Sequence, residues 1–163
     1  MAAKPRLKAD SVQSGFTLVE LIVTVIVVGI IAVTVLPRFA DRTDFDARGF
    51  FDGTLSILRY AQKSAVAQRR TVCVTFGADS SVNLRIASNF DGACDTDLTG
   101  PTGAAPYTLT APAGVAFSAT PAAPTNFNFL PSGEATLGQD IKVADLTGRS
   151  ITVVAVTGYV QEN

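Results

Sequence analysis

The stretch "SGFTLVELIVTVIVVGIIAVTVLPRF", Ser14 to Phe39, decides the reading of this chain. Between Glu20 and Arg38 it holds no charged residue. At about 1.5 Å per residue, a helix from Phe16 to Leu36 spans roughly the hydrocarbon core of a bilayer. A carboxyl at the bilayer centre costs about 3 kcal/mol or more, so the lone acid Glu20 near the start of the run needs a partner or a task. The plainer alternative is that Glu20, one turn into the helix, merely reaches the membrane interface.

The residues before the run, "MAAKPRLKADSVQSG", carry Lys4, Arg6 and Lys8 against Asp10. That excess holds this end on the cytoplasmic side, so the remainder of the chain is expected to be exported. An ordinary secretory signal ends at a small-residue cleavage site, and "VLPRFADR" offers no good one. A lipoprotein signal needs Cys at the cut, whereas the first Cys is Cys73.

The 163 residues suffice for one domain of ordinary size plus an extra segment. Apolar residues make up 47% of the chain, concentrated at 16–36, and the rest reads as a soluble domain. A net charge of −1 points to no polyanionic partner. The absence of His removes the commonest general base and the commonest metal ligand together. With two Cys, a tetrahedral thiolate zinc site within one chain is excluded.

A short basic leader ending in Gly, then Phe, then an apolar helix with Glu as the fifth residue after the Gly, resembles the type III signal of type IV pilins and pseudopilins. "GFTLVEL" carries the match, and "LPRF" at 36–39 fits the end of that family's membrane helix. The resemblance implies that prepilin peptidase cuts between Gly15 and Phe16 and N-methylates the new amino terminus, leaving the helix on the product. The ammonium created at Phe16 then lies within reach of Glu20 on a neighbouring subunit, in surroundings that screen an ion pair much less than water does. "FFDGTLSILRYAQKSAVAQRRTVCVTF" at 50–76, "FNFLPSGEATLG" and "RSITVVAVTGYV" resemble the GspH/FimT class of minor pilins and pseudopilins. "FDAR" at 45–48 together with "LRYAQKSAVAQRRTVCV" is similar in particular to minor pilins of mannose-sensitive haemagglutinin-type pili.

These readings divide the chain into a leader at 1–15, a transmembrane and assembly helix at 16–37, an amphipathic helical continuation at 38–70 and a periplasmic β-rich domain at 71–163. Pro37 lacks a backbone N–H and kinks or opens any helix that passes through it. From about Phe45 to Arg70 an apolar stripe returns through Phe51, Leu55, Leu58 and Ala65, widened by Phe50, Ile57 and Ala61. Arg69 and Arg70 suit the C-terminal end of its dipole. Then the period becomes two, in "TVCVTF" and "VNLRIA". Further strands are expected near 115–118, 127–130, 141–146 and 150–156, the last two joined by a turn containing Thr-Gly. Residues 88–125, rich in Gly, Pro, Ala, Asp and Thr, read mainly as loop with at most short strands. The expected fold is α+β and pilin-like: a long N-terminal α-helix, membrane-spanning in its first half, packed on a C-terminal antiparallel β-sheet domain.

Export places Cys73 and Cys94 in an oxidising compartment, where a lone pair of thiols is expected to form a disulfide. Arg59, Lys63, Arg69 and Arg70 make a modest basic patch. FimT-type proteins of natural transformation bind DNA, which makes this patch a candidate DNA contact. A solvated helix face is preferred, and no nucleic-acid partner is expected. Asp91, Asp95 and Asp97 suggest a calcium loop, but Pro106 stands where the closing Glu of an EF-hand counted from Asp95 should fall, so they read as turn-forming acids. "GPTGAAP" lacks the strand-then-helix context and the Lys of a phosphate cradle. No nucleophile and base pair by spacing, so neither an enzyme nor a cofactor is expected. The expected function is that of a minor pilin or pseudopilin that inserts in the bacterial inner membrane and is processed there. It then starts or caps a type IV pilus or type II secretion pseudopilus. Its partners would be prepilin peptidase, other major and minor pilins or pseudopilins, and the membrane assembly platform. The alternatives are a pilus-tip module for DNA or a surface ligand, and an anchored periplasmic protein that never enters a filament.

Overall fold

A computed structural model of the chain describes residues 16–35, 42–90 and 92–163. It separates into two units, 1–40 and 41–163, each described by itself.

In the first unit, α1 (Leu18–Val35) is built from Val, Ile and Leu interrupted by Glu20, Thr24, Gly29, Ala32 and Thr34. Every side chain from Phe16 to Ala32 is exposed. β-branched residues are modest helix formers in water, and an apolar surface on all sides belongs to a helix meant for surroundings other than water. Eighteen residues make about 27 Å of helix. Among the described residues no helix is long and apolar enough to cross a membrane. The expected span runs on to Leu36 and Pro37, and both, with the kink anticipated at Pro37, lie outside the described residues.

The second unit begins with α2 (Arg42–Gln68). Phe50, Phe51, Ile57, Leu58, Ala61 and Ala65 are buried along it, as the stripe in the sequence requires. Thr54 joins them, fully buried, and its hydroxyl is satisfied by donating to the Phe50 carbonyl at 2.8 Å. The helix stops at Arg69, which takes a left-handed φ of 51°. The Arg70 amide then reaches back to the Ala65 carbonyl at 3.1 Å, closing the last turn as a Schellman cap does.

The helix packs on two antiparallel sheets. In the first, β1 (Val72–Phe76) runs between β2 (Ser81–Ile86) and β5 (Phe127–Phe129), pairing Val74 with Leu84 on one side and with Phe127 on the other. The far edge of β2 is shared by β3 (Thr96–Asp97) and β4 (Tyr107–Thr110). Val72, Val74, Val82, Leu84, Phe127 and Phe129 point inward and are buried. The second sheet has the order β6 (Gln139–Ile141), β7 (Ile151–Val153), β8 (Val160–Glu162) and contributes Ile141, Ile151, Val153 and Val160 to the same core.

Three strand expectations need correction. Near 115–118, Phe117 forms only a single bridge to Val143, because Pro112 and Gly114 (φ 86°) turn the chain just before it. The strand expected at 141–146 ends at Ile141, since Asp145 adopts a positive φ of 63° and breaks the extended run. The strand expected at 150–156 ends at Val153; the chain turns through Gly158 (φ 61°) and comes back as β8, which the sequence reading did not anticipate. A Cβ at Gly158 would collide with the Gly133 carbonyl oxygen, so only Gly fits there.

Candidate functional site

Phe16 and Glu20 stand at the open end of α1, both exposed. The first turn is capped by Thr17: its hydroxyl accepts the Glu20 amide at 3.3 Å, and its carbonyl accepts the Leu21 amide at 3.2 Å. A Thr at the N-cap satisfies one of the orphan amides of a helix start, which fixes the turn that carries Glu20. The sequence reading passed over Thr17, although Thr-x-x-Glu before an apolar run is the signature of a capping box. Deeper in the helix, Thr24 donates its hydroxyl to the Leu21 carbonyl at 2.8 Å and so needs no outside partner. Apart from Glu20, whose carboxylate faces outward, the side chains of this segment from Phe16 to Ala32 are therefore apolar or internally satisfied. Such a surface can be covered only by lipid or by other apolar helices. Gly15 and Pro37 lie outside the described residues.

Cys73 and Cys94 are joined, with Cα atoms 6.1 Å apart and a sequence separation of 21. The bridge ties the central strand β1 to the loop that follows β2. The Cys94 end also lies 3.7 Å from the Thr71 carbonyl. In the same loop Asp95 accepts the Ser88 amide at 2.8 Å and the Ser88 hydroxyl at 2.7 Å. These bonds, the hydroxyl first, hold its carboxyl below the usual Asp range. Asp97 pairs with Arg85 at 3.4 Å. Both carboxylates are occupied by the protein itself, and no group of three metal-ligating side chains exists among the described residues. Asp91, the third of the calcium candidates, lies outside them.

On α2 the basic residues are distributed around Tyr60. Arg59 and Lys63 line a cleft of about 300 Å³ with Asp52, Leu55, Ser56 and Tyr60, while Arg70 borders a second cleft with Gln68, Asp97 and Gly100. Arg59 Nε already donates to the Val160 carbonyl at 3.1 Å. The Tyr60 hydroxyl donates to the Thr99 carbonyl at 2.6 Å. Arg69 and Arg70 are exposed beyond the helix end. Two of the cations, Arg59 and Lys63, thus share an exposed helix face, with Arg59 anchored to β8, and the other two follow the helix end.

A different cation holds the second sheet to the helix. Arg149 lies 4.3 Å from the centre of the Phe51 ring, 2.7 Å from Glu162 and 3.3 Å from Asp52. The hydrogen bond it donates to Glu162, then the charges of Glu162 and Asp52, strengthen its hold on its proton. No sequence signal marks Arg149, because its partners lie on α2 and β8, far apart in the chain.

Residues 10–36 match the prokaryotic N-terminal methylation motif family. A stretch of 58 residues is 34% identical to PilA5, the type IV narrow pilus major component of Thermus thermophilus, covering 36% of this chain and 50% of that protein. The chain thus spans about half the length of this relative. The minor pseudopilin EpsH from the type 2 secretion system of Vibrio cholerae superposes with a TM-score of 0.54 at 11% identity, over 72% of this chain and 94% of that one. The type IV minor pilin FimU of Pseudomonas aeruginosa gives 0.49 at 15% identity, over 71% and 91%. The N-terminal match is thus to a methylation motif, and the likeness to the EpsH structure extends to the fold, a long helix packed on antiparallel sheets.

Proposed function

We propose that the chain is a minor pilin or pseudopilin of the GspH/FimT kind, cut between Gly15 and Phe16 by prepilin peptidase and methylated on the Phe16 nitrogen. It is held in the bacterial inner membrane by residues 16–37 with its C-terminal domain in the periplasm. From there it joins other pilins to start or cap a type IV pilus or a type II secretion pseudopilus. The carrying observation is the state of α1: an apolar helix exposed from Phe16 to Ala32 that offers one carboxylate, Glu20, on its first, Thr17-capped turn. A neighbouring subunit supplies both what this helix lacks, an apolar cover and a cation, the latter as the Phe16 ammonium. Glu20 and Phe16 would then set the axial step between subunits.

The minor role draws on the likeness to EpsH, itself a minor pseudopilin, and on the loop-rich stretch between β2 and β5, which suits one specialised position better than a repeating lattice. Quantitative mass spectrometry of filaments sheared from the native host tests it. The chain is expected as a small fraction of the filament protein; its appearance as the dominant subunit would overturn the minor role and leave the pilin reading standing.

A further inference from the structure

Two clefts of about 480 and about 440 Å³ meet at the start of α2, sharing Asp145, Thr147 and Arg149. Lys142 lines the first, and Asp44 and Arg48 of α2 line the second. Arg149 is already held by Asp52 and Glu162. The remaining charges of the lining are two cations, Arg48 and Lys142, and two acids, Asp44 and Asp145. All four are exposed, and none is in an ion pair among the described residues. Charges that balance without pairing leave both signs open to one ligand.

Beside them Phe45 is 78% exposed. Asp44 and Phe45 precede Arg48 by four and three residues, spacings that bring each of them beside Arg48 on the helix surface. An exposed ring bordered by charges is suited to the headgroup boundary of a bilayer. Its place in the chain favours that: only residues 38–41 separate the proposed membrane segment from α2, a link that spans no more than about 18 Å.

We propose that the start of α2 and the loop after β6 bind the headgroup of a zwitterionic phospholipid with a primary amine, phosphatidylethanolamine. Its phosphate is drawn to Arg48 and Lys142 and its ammonium to Asp44 and Asp145, with Phe45 set into the lipid alongside. The inference rests on the membrane placement proposed for residues 16–37 and adds a lipid site to the C-terminal unit. An anionic headgroup has nothing to offer the two acids. Phosphatidylcholine carries both charges, but its quaternary ammonium has no N–H, whereas a primary ammonium donates charge-assisted hydrogen bonds to carboxylates as Lys does.

The chain contains no Trp, so Phe45→Trp gives the full chain a single indole at the proposed contact. The variant is reconstituted in vesicles with a constant share of acyl-brominated phosphatidylcholine, the remainder being phosphatidylcholine, phosphatidylethanolamine or phosphatidylglycerol. The bromines should quench the indole, about twofold more with the phosphatidylethanolamine remainder than with the other two. Adding Asp44→Asn and Asp145→Asn should abolish that preference, since Asn tolerates the left-handed φ of Asp145 but lacks its charge. Adding Arg48→Gln should lower quenching in all three. Val156, 77% exposed in the turn that Gln62 holds about 25 Å further along α2, supplies the control: the indole of Val156→Trp should stay unquenched.

Quenching of Phe45→Trp no stronger than that of Val156→Trp overturns the proposal, as does equal quenching with phosphatidylcholine and phosphatidylethanolamine. A preference that survives both Asn substitutions overturns it too, by tracing the effect to bilayer packing, and a preference for phosphatidylglycerol would make this an anionic-lipid site. Flotation separates the two readings. A chain that does not float with the vesicles defeats the membrane placement and the lipid site together, whereas one that floats with its indole in water defeats the lipid site alone.

Discussion

The two helices solve opposite problems. α2 spends one face on the core, with Phe51, Leu58, Ala61 and Ala65 fully buried, and leaves outside a mainly polar and charged face that also shows Phe45 and Val66. α1 has no buried face from Phe16 to Ala32; its Val, Ile and Leu side chains are exposed throughout that stretch. The first pattern is stable because of the sheets it covers, the second only because of something outside the domain. Substitutions in α2 should therefore act on folding, and substitutions in α1 on assembly.

The largest effect is expected in α1. Glu20→Val keeps the segment apolar, so membrane insertion and unfolding of the C-terminal unit should be unchanged. Incorporation into filaments should fall by about tenfold or more, the factor that corresponds to ~1.4 kcal/mol for each lost ion pair. Normal incorporation would show that the carboxylate is dispensable. In α2 the mirror experiment is Phe51→Ala, which removes a ring that is wholly buried and covered by Arg149. It should cost about 3–5 kcal/mol in urea unfolding, with processing at the amino terminus unaffected.

The disulfide comes next. Replacing Cys73 and Cys94 by Ala releases a loop closed across a separation of 21 residues and should cost about 3 kcal/mol in the same assay, again without touching α1. A smaller effect of opposite sign is expected at the end of α2. Arg69 holds a left-handed φ that Gly adopts freely, so Arg69→Gly should stabilise the unit by about 0.5–1 kcal/mol. The smallest effect concerns acid. Hydrogen bonds from Ser81 and from Ser88 lower the pKa values of Asp79 and Asp95 below 3.8 in the folded chain. Their contribution is complete at neutral pH and disappears as pH falls through the folded values, below about 4. Melting temperatures at about pH 5 and about pH 3, above and below the ordinary Asp value, should differ less in Asp95→Asn than in the parent.

The same contrast explains what could be read from the sequence. Local periodicity carried α1, the stripe of α2 and the strands β1, β2 and β5, because each of those signals lies within a few neighbouring residues. What it did not carry was set by distant contacts. The return of the chain as β8 depends on Gly158 fitting under the Gly133 carbonyl, and the clamp at Arg149 joins Asp52 to Glu162. Thr17 was legible, since its capping signature is wholly local, but Glu20 drew the reading toward the membrane and away from the helix start. Asp95 and Asp97 resemble metal ligands in sequence, but their engagement by Ser88 and Arg85 is visible only once the loop is folded.

The central claim is that α1 begins at a processed end and is covered by other subunits. The most direct test is the mass of the N-terminal peptide from the protein made in cells with active prepilin peptidase. The account predicts a peptide beginning at Phe16 and heavier by one methyl group; a chain that still carries residues 1–15 would contradict it.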